Sequence, residues 1–443
     1  MLPKATPPAK RFLHKPTTNS WSQSQDAIES ASMKSPLLVP LLLAVTSLSL
    51  SAADWPWWRG PDRNGVAAGN PHPPVNLDDP RSQKWAVEVP GRAHGSACVC
   101  GDRVFLPTAD ETAKTQSMHG FDRATGRLLW TTVIHRDGMT QKSNRKESWA
   151  SATPACDGER VFMSFVHGEA VFTTALDLNG NQLWQTRISD FVIHQGYGAS
   201  PAIWGDLVIV AADSKGTNGG AVCGLDRKTG AVIWKIPRDA KPNYASPIIL
   251  EAAGRTQLFL SGIDKVTSLD PLNGKVLWEI DGATTECVTS TVTDGQRIFT
   301  SGGYPKNHVS AILADGSGTL AWESKERVYV PSMLVRNGHL YAVLDSGVAA
   351  CWEAATGKEK WKERLGGTFS ASLVMENDQI YAANESGELF VFRAIPERME
   401  LLGRHKIADE MFATPAIADG RIYLRVAFLD GERRTEKLVC YGP

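Results

Sequence analysis

The sequence of 443 residues lacks the features that mark several classes of protein. Its seven cysteines are odd in number and scattered singly, with Cys98-Val-Cys100 as the one close pair, so neither a disulfide framework nor a CxxC zinc site is indicated. The net charge of -1 gives no global field that would attract nucleic acid or anionic lipid. No G-x-S-x-G, P-loop or H-E-x-x-H motif occurs. We therefore predict no metal site and assign no catalytic residue.

Long apolar runs are also missing, except near the N-terminus. The run from Leu37 to Leu50 is too short to span a membrane comfortably, which disfavours a transmembrane anchor. Residues 33–53 instead have the pattern of a secretory signal peptide, with the small residues Ser51 and Ala53 before the cleavage site. Residues 1–32 are polar and unpatterned, as in a misassigned start or a disordered leader. The sequence predicts a soluble protein, exported to the periplasm or the medium.

What the sequence does have is a repeat that ends in tryptophan. Units such as "LDRKTGAVIW" and "LDPLNGKVLW" combine an Asp-x-x-Thr/Asn-Gly turn with an apolar strand. Successive tryptophans lie 39 to 54 residues apart, a period that is typical of a β-propeller. We predict that the indoles fill the wedges between neighbouring sheets. These structural positions are Trp130, Trp184, Trp234, Trp278, Trp322 and Trp361.

The count of repeats predicts an all-β, eight-bladed propeller over residues 83–443, with seven blades as the rival count. Eight small-residue openings precede the units, near Gly95, Ser151, Ser200, Ser246, Ser290, Ser332, Ser370 and Thr414. The last unit ends before its fourth strand. The orphan strand Gln83–Val89 carries Trp85 and would supply that strand, which closes the ring and leaves no free edge.

The units resemble the pyrroloquinoline-quinone-type (PQQ-like) repeat, Ala/Leu-x-Asp-x-x-Thr-Gly-x-x-x-Trp. With "DWPWWRGPDRNG" and "MFATPAIADGRIYLR", the chain resembles secreted PQQ-like propellers of planctomycete type, often labelled by similarity to BamB, the propeller lipoprotein of outer-membrane protein assembly. The resemblance implies a fold rather than one activity. It also implies an alternative in which PQQ with calcium serves a quinoprotein dehydrogenase of alcohols or sugars. The adjacent cysteine pair of many such enzymes is missing, and no Glu/Asn/Asp calcium set can be assigned.

Residues 54–82 hold three tryptophans within four positions, Trp55, Trp57 and Trp58, without helical periodicity. We expect this segment to pack on the propeller surface and to cover apolar blade edges. A ligand-stacking role for Trp57 or Trp58 is the alternative.

Two sets of residues are candidates for binding. Aromatic and histidine side chains just before the inner strands are expected to rim the central channel, either as a funnel or as a plug: His94, Trp149, Tyr197, Tyr244, Tyr329, Phe369 and Phe412. Long polar links after the first two blades supply a loop face: His135, Arg136, Asp137, Arg145, Lys146, Asp190 and His194. The leading hypothesis is a monomeric, non-catalytic propeller without cofactor that binds a partner protein or a small ligand. The alternatives are the quinoprotein dehydrogenase and a BamB-like assembly scaffold.

Overall fold

The computed structural model describes residues 54–67, 72–139, 144 and 146–443. The predicted leader (1–32), the predicted signal peptide (33–53) and Arg145 lie outside the described residues. The described residues form 33 strands and no helix. The described residues therefore contain no helix with the length and apolar character needed to cross a membrane.

The strands form eight sheets, each of which is one blade. Blade 1 contains β3 (Cys98–Cys100), β4 (Arg103–Asp110), β5 (Thr115–Asp122) and β6 (Leu128–Arg136). Blade 2 contains β7 (Ala155–Cys156), β8 (Arg160–His167), β9 (Ala170–Asp177) and β10 (Gln182–Asp190). Blade 3 contains β11 (Ala202–Trp204), β12 (Leu207–Ala212), β13 (Gly220–Asp226) and β14 (Val232–Arg238). Blade 4 contains β15 (Ile248–Ala252), β16 (Arg255–Gly262), β17 (Lys265–Leu269) and β18 (Val276–Asp281).

The second half of the ring repeats the pattern. Blade 5 contains β19 (Val292–Thr293), β20 (Arg297–Gly302), β21 (His308–Leu313) and β22 (Leu320–Ser324). Blade 6 contains β23 (Leu334–Arg336), β24 (His339–Val343), β25 (Val348–Glu353) and β26 (Glu359–Arg364). Blade 7 contains β27 (Val374–Glu376), β28 (Gln379–Ala383), β29 (Glu388–Arg393) and β30 (Glu400–Lys406), with β1 (Val66–Ala67) added parallel to β27. Blade 8 contains β31 (Ala416–Ala418), β32 (Arg421–Asp430), β33 (Arg433–Tyr441) and β2 (Gln83–Val89).

The first strand of each blade lies at the centre of the ring. Thus β3 contacts β7 and β31, β15 contacts β11 and β19, and β23 contacts β19. The predicted eight-bladed, all-β propeller is confirmed, and the count of seven is wrong.

The N-terminal strand closes the ring as predicted. β2 pairs antiparallel with β33, with Trp85 opposite Cys440 and Val89 opposite Glu436. The last blade therefore takes its outer strand from the start of the propeller chain. This pairing joins the two chain ends and gives β33 a partner on both sides.

The predicted tryptophan docking is also present. The Trp130 Nε1 donates to the Leu178 carbonyl of the next blade at 2.9 Å, and its ring covers Gly180 in the turn of that blade. An ideal Cβ on Gly180 would lie 2.6 Å from the indole, and the φ of 87° there also favours glycine. The Asp-x-x-Thr/Asn-Gly turn is therefore the receptor for the preceding blade's tryptophan.

Most other docking tryptophans follow this arrangement. Trp85, Trp184, Trp322 and Trp361 each donate to a backbone carbonyl of the following blade, at Arg123, Arg227, Ala354 and Ile395 respectively. Trp278 instead donates to Gln257 Oε1 of its own blade at 2.7 Å, and Trp234 Nε1 has no hydrogen-bond partner among the described residues. Their rings still cover the next blade's glycine, so indole packing is the shared feature.

The small-residue openings contain a second link between blades. Backbone N–H groups donate to the hydroxyl of the next blade's opening, for example Ser96 to Thr153 at 3.1 Å and Thr153 to Ser200 at 2.9 Å. We call the opening hydroxyls the hydroxyl belt: Ser96, Thr153, Ser200, Ser246, Ser290, Ser332, Ser372 and Thr414. Six such bonds follow the belt around the centre.

Candidate functional site

Residues 54–67, which we call the central hairpin, lie inside the ring. Asp54 pairs with Arg123 at 2.9 Å and accepts a hydrogen bond from the Gly101 backbone. Arg123 and Gly101 lie in turns on the face of the ring opposite to the small-residue openings. Trp55 then forms a two-way backbone bridge to Val99 in the inner strand β3. The chain turns at the level of the hydroxyl belt, where Trp58 Nε1 donates to Ser290 Oγ at 2.8 Å, and returns as β1 beside β27. The hairpin contacts the inner strands, whereas the sequence predicts packing on the propeller surface over apolar blade edges.

Arg59 anchors the tip of the central hairpin. Its side chain is 0% exposed, and its guanidinium donates to the carbonyls of Leu373 and Met333, each at 2.6 Å, and of Asn64 at 3.2 Å. Leu373 and Met333 immediately precede the inner strands of blades 7 and 6. Burial lowers the pKa of Arg59 to about 9. Sequence reasoning missed this residue because nothing near it in the chain indicates a buried partner.

Further contacts tie the hairpin to other blades. Arg63 donates to the Ile203 carbonyl of blade 3 at 2.6 Å, and its guanidinium lies 4.5 Å from the ring centre of Trp57. The Pro56 carbonyl accepts from the Cys156 backbone of blade 2 at 2.7 Å and from the Cys98 thiol of blade 1. All seven cysteines are buried and free, so they pack as small side chains here.

Above the hairpin tip lies a cavity of about 660 Å³. Trp58 lines it together with six members of the hydroxyl belt, which places the hairpin tip at its base. Its walls are the segments that lead into the inner strands. The volume lies within the range of small-molecule sites in proteins.

Five of the seven predicted rim residues line this cavity: His94, Tyr197, Tyr244, Tyr329 and Phe412. The ring of His94 stacks on Phe412 with centroids 4.5 Å apart. Trp149 and Phe369 do not line it, and their placement at the rim is wrong. Trp149 packs in the apolar cluster between blades 1 and 2, and Phe369 is 1% exposed against Phe390. Both side chains point into a blade interface, because burial there removes a large apolar surface from water.

Two of the predicted loop-face residues also line the cavity. Lys146 forms a two-oxygen ion pair with Glu385 of blade 7, at 2.7 and 2.6 Å. His194 Nδ1 lies 2.8 Å from the hydroxyl of Tyr244. The ion pair joins segments of two non-neighbouring blades, and the His194–Tyr244 contact joins the links before blades 3 and 4.

The four remaining loop-face residues that the structure describes lie away from the cavity. Arg136 and Asp137 are exposed at the end of β6, and Asp190 is exposed at the end of β10, where it pairs with Arg187. His135 is buried and stacks on His167 with centroids 4.4 Å apart. Burial lowers the pKa of His135 to about 4, so it is neutral near pH 7 and belongs to the blade interior.

Glu286 is a cavity residue that the sequence did not reveal. It is 6% exposed, its Oε2 accepts from the Tyr329 hydroxyl at 3.1 Å, and its Oε1 lies 3.6 Å from His194 Nδ1. Burial, and then the Glu286 charge, raises the pKa of Tyr244 and of Tyr329, so both hydroxyls stay protonated. We call His194, Tyr244, Glu286 and Tyr329 the Glu286 network. In the fifth repeat the stretch before the opening, "TTECVTS", has no aromatic residue, and this departure from the repeat is the one indication in the sequence.

Arg327 completes the polar wall. Its guanidinium lies 5.0 Å from the ring centre of Tyr329 and donates to the Gly303 carbonyl at 2.9 Å. The cavity therefore combines aromatic side chains with the buried carboxylates of Glu147 and Glu286, phenol hydroxyls and two engaged cations. Such a lining can stack a ring and can exchange hydrogen bonds with hydroxyl groups.

Comparison with known proteins gives a consistent picture. The family profile described as "Outer membrane protein assembly factor BamB" matches residues 75–191, 114–326 and 305–395. A polyvinylalcohol dehydrogenase from Sphingopyxis sp. (strain 113P3) is 29% identical over 304 residues, which is 63% of this chain and 40% of that protein. The matches span about two fifths of the length of the curated relatives.

Solved structures share the fold at low sequence identity. BamB from Moraxella catarrhalis superposes with a TM-score of 0.57 at 14% identity, over 82% of this chain and 97% of that one. A europium-containing methanol dehydrogenase superposes with a TM-score of 0.65 at 10% identity, over 89% of this chain and 98% of that one. At these identities the likeness shows the fold alone.

Proposed function

We propose a ligand-binding function for this chain, which belongs to the family described as outer membrane protein assembly factor BamB, a family of PQQ-like propellers. In this proposal the chain is an exported propeller that binds a small ligand in its central cavity and catalyses no reaction. The observation that carries the proposal is the cavity itself. It is closed at its base by Trp58 and walled by the Glu286 network. Large clefts with a few converging polar groups are the usual place for ligands.

The polar groups in the lining favour a neutral, hydroxyl-rich ligand. The Glu286 carboxylate is largely buried in the cavity wall, and its oxygen atoms can accept hydrogen bonds from ligand hydroxyls. A negatively charged ligand would share the cavity with the buried carboxylates of Glu147 and Glu286, and the charge of Lys146 is already compensated by Glu385. One relative is named for polyvinylalcohol, a hydroxyl-bearing polymer, which supports the same class of ligand.

Calorimetric titration of the protein with cellotriose, maltotriose and a short poly(vinyl alcohol) tests this proposal. We expect at least one to bind, and Glu286→Gln to weaken that binding about 10- to 150-fold, as expected for loss of a charge-assisted hydrogen bond. Asp190→Asn, an exposed acid outside the cavity, is the matched control and should bind as the wild type does. Absence of binding for all three at millimolar concentration would contradict the proposal.

The second candidate is a quinoprotein dehydrogenase, which the likeness to polyvinylalcohol dehydrogenase favours. Two observations count against PQQ with calcium. PQQ carries three carboxylates, whereas the lining holds the buried carboxylates of Glu147 and Glu286, and the charge of Lys146 is already compensated by Glu385. In the part of the chain that the structure describes, no three or more His, Cys, Asp or Glu side chains are grouped to hold a metal ion. This candidate predicts that PQQ with calcium raises Tm and supports dye reduction with an alcohol or an aldose; an unchanged Tm at saturating cofactor counts against it.

The third candidate, a BamB-like scaffold, follows from the family description. It predicts that an outer-membrane protein of the native host co-purifies with the chain at stoichiometric levels. Export, which all three candidates share, rests on the predicted signal peptide at residues 33–53. Expression of the full chain in a bacterial host should give a processed N-terminus near Asp54 in the exported fraction, and a retained Met1 or Met33 would contradict export.

A further inference from the structure

Of the three tryptophans in the central hairpin, Trp58 is the one that lines the cavity. Trp55 is buried against β3, and Trp57 packs in the apolar cluster of blades 2 and 3 under the Arg63 guanidinium. The side chain of Trp58 is half-buried, and its bond to Ser290 Oγ fixes the orientation of the indole. The base of the cavity is therefore lined by an indole from a segment outside the eight repeats.

The hairpin tip that carries Trp58 is held on several sides. Arg59, the next residue, donates to carbonyls of blades 6 and 7, and Arg63 donates to blade 3. A side chain held in this way needs little ordering when a ligand arrives, so the stacking surface is pre-organised.

We propose that Trp58 is the stacking platform for a pyranose ring of a neutral carbohydrate, and that the Glu286 network binds the hydroxyls at the edge of that ring. This inference rests on the proposed ligand-binding function and names its ligand class. A pyranose has an apolar C–H face and a hydroxyl-bearing edge. The C–H groups carry partial positive charge and match the negative face of an indole, whereas the hydroxyls match Glu286, Tyr244 and Tyr329.

The same geometry separates carbohydrates from linear polyols. An open-chain polyol such as sorbitol has the hydroxyls but no rigid apolar face, and it must lose rotational freedom to lie flat on an indole. A ring-shaped sugar presents that face without this cost. The stacking platform therefore predicts tighter binding of ring-shaped sugars than of open-chain polyols.

The test uses the full chain with cellotriose, maltotriose and sorbitol as probes, read by calorimetry and by tryptophan fluorescence. Trp58→Ala should weaken trisaccharide binding about tenfold or more, and Trp58→Phe, which keeps an aromatic face, should retain most of it. The fluorescence change on binding should be lost in Trp58→Phe. Trp57→Phe, the neighbouring indole outside the lining, is the matched control and should behave as the wild type does. Urea unfolding of each variant checks that the ring remains intact.

Three outcomes would overturn the inference. If Trp58→Ala binds the trisaccharides as tightly as the wild type while Glu286→Gln weakens binding, the cavity binds ligand without stacking on Trp58, and the proposed function survives alone. If sorbitol binds the wild type as tightly as the trisaccharides, the ligand class is wrong. If none of the three probes binds the wild type, the carbohydrate inference fails, and poly(vinyl alcohol) binding then decides the proposed function separately.

Discussion

The docking tryptophans at the blade interfaces and the tryptophans of the central hairpin both pack between blades, but their segments contact very different numbers of blades. Trp130 covers one glycine turn of one neighbouring blade, and Trp85, Trp184, Trp234, Trp278 and Trp322 repeat that contact around the ring. The central hairpin occurs once. It contacts the inner strands of blades 1, 2, 3 and 7 and the residues just before the inner strands of blades 5 and 6. A repeated contact distributes stability around the ring, whereas the hairpin concentrates several interblade contacts and the base of the cavity in fourteen consecutive residues.

The largest effect on stability is expected at a docking tryptophan of a blade interface. Trp130→Ala should lower the free energy of unfolding by about 3–5 kcal/mol, because it removes a large ring from the interface of blades 1 and 2. Urea unfolding measures the change. Leu183→Ala, at a side chain 48% exposed beside the docking position of blade 2, is the control and should stay within about 0.5 kcal/mol of the wild type. Equal losses for the two variants would show that the indole is not the wedge.

A pH series tests the place where the hairpin joins a blade. Glu376 pairs in register with Ala67, is 3% exposed, and its Oε2 has no hydrogen-bond partner among the described residues. Burial raises the pKa of Glu376 from 4.5 to about 7. The stability that its protonated form contributes is fully present below pH 4.5 and is lost as the pH rises through 7. Above pH 7, Glu376→Gln should therefore be more stable than the wild type by up to about 3 kcal/mol.

The difference in the free energy of unfolding between Glu376→Gln and the wild type separates the contribution of Glu376 from that of the other titratable groups. Burial lowers the pKa values of three histidines, His119, His135 and His308, to about 4. These histidines reduce the free energy of unfolding as the pH falls from 6.5 towards 4, whereas Glu376 reduces it as the pH rises. The histidine contributions are common to both proteins and cancel in the difference. Parallel stability curves from pH 4.5 to 8.5 would contradict the assignment to Glu376.

A smaller but more local effect is expected at the hairpin tip. Arg59→Met removes the donors to the carbonyls of Leu373, Met333 and Asn64, and it also removes the cost of burying a cation. The net loss should be about 1–3 kcal/mol. Limited proteolysis should show faster cleavage within residues 54–67, while the docking interfaces keep their cooperative urea transition. Unchanged cleavage of the hairpin would mean that Arg59 does not anchor it.

The smallest effect is expected at the mouth of the cavity. The Lys146–Glu385 ion pair joins the link before blade 2 to blade 7, but the lysine side chain is partly exposed to solvent. Lys146→Met should change the free energy of unfolding by less than about 1 kcal/mol. A double-mutant cycle with Glu385→Gln measures the coupling, which should fall as salt rises. A coupling above 2 kcal/mol that salt does not change would contradict this expectation.

The sequence predicted the parts of the structure that repeat. The count of small-residue openings predicted the number of blades, and the orphan strand around Trp85 predicted the closure, because each is one copy of a pattern seen elsewhere in the chain. The direction of an individual side chain before an inner strand was less predictable. Tyr197 and Tyr244 line the cavity, whereas Trp149 and Phe369 turn into blade interfaces, since these lead-in segments are irregular and have no fixed side-chain period.

The amino-acid sequence by itself determined the architecture: eight four-stranded blades, the tryptophans that pack between them, and the closing N-terminal strand. The blade pattern recurs along the chain and leaves a period that can be read from the sequence, and the closing strand can be recognised as an unpaired copy of that pattern. Only the tertiary structure decided what lies at the centre. The contacts of Arg63 with Ile203 and of Arg59 with Leu373 join residues 140 and 314 positions apart. Each occurs once, so no periodicity records it, and the base of the cavity becomes visible only when the ring has closed around the hairpin.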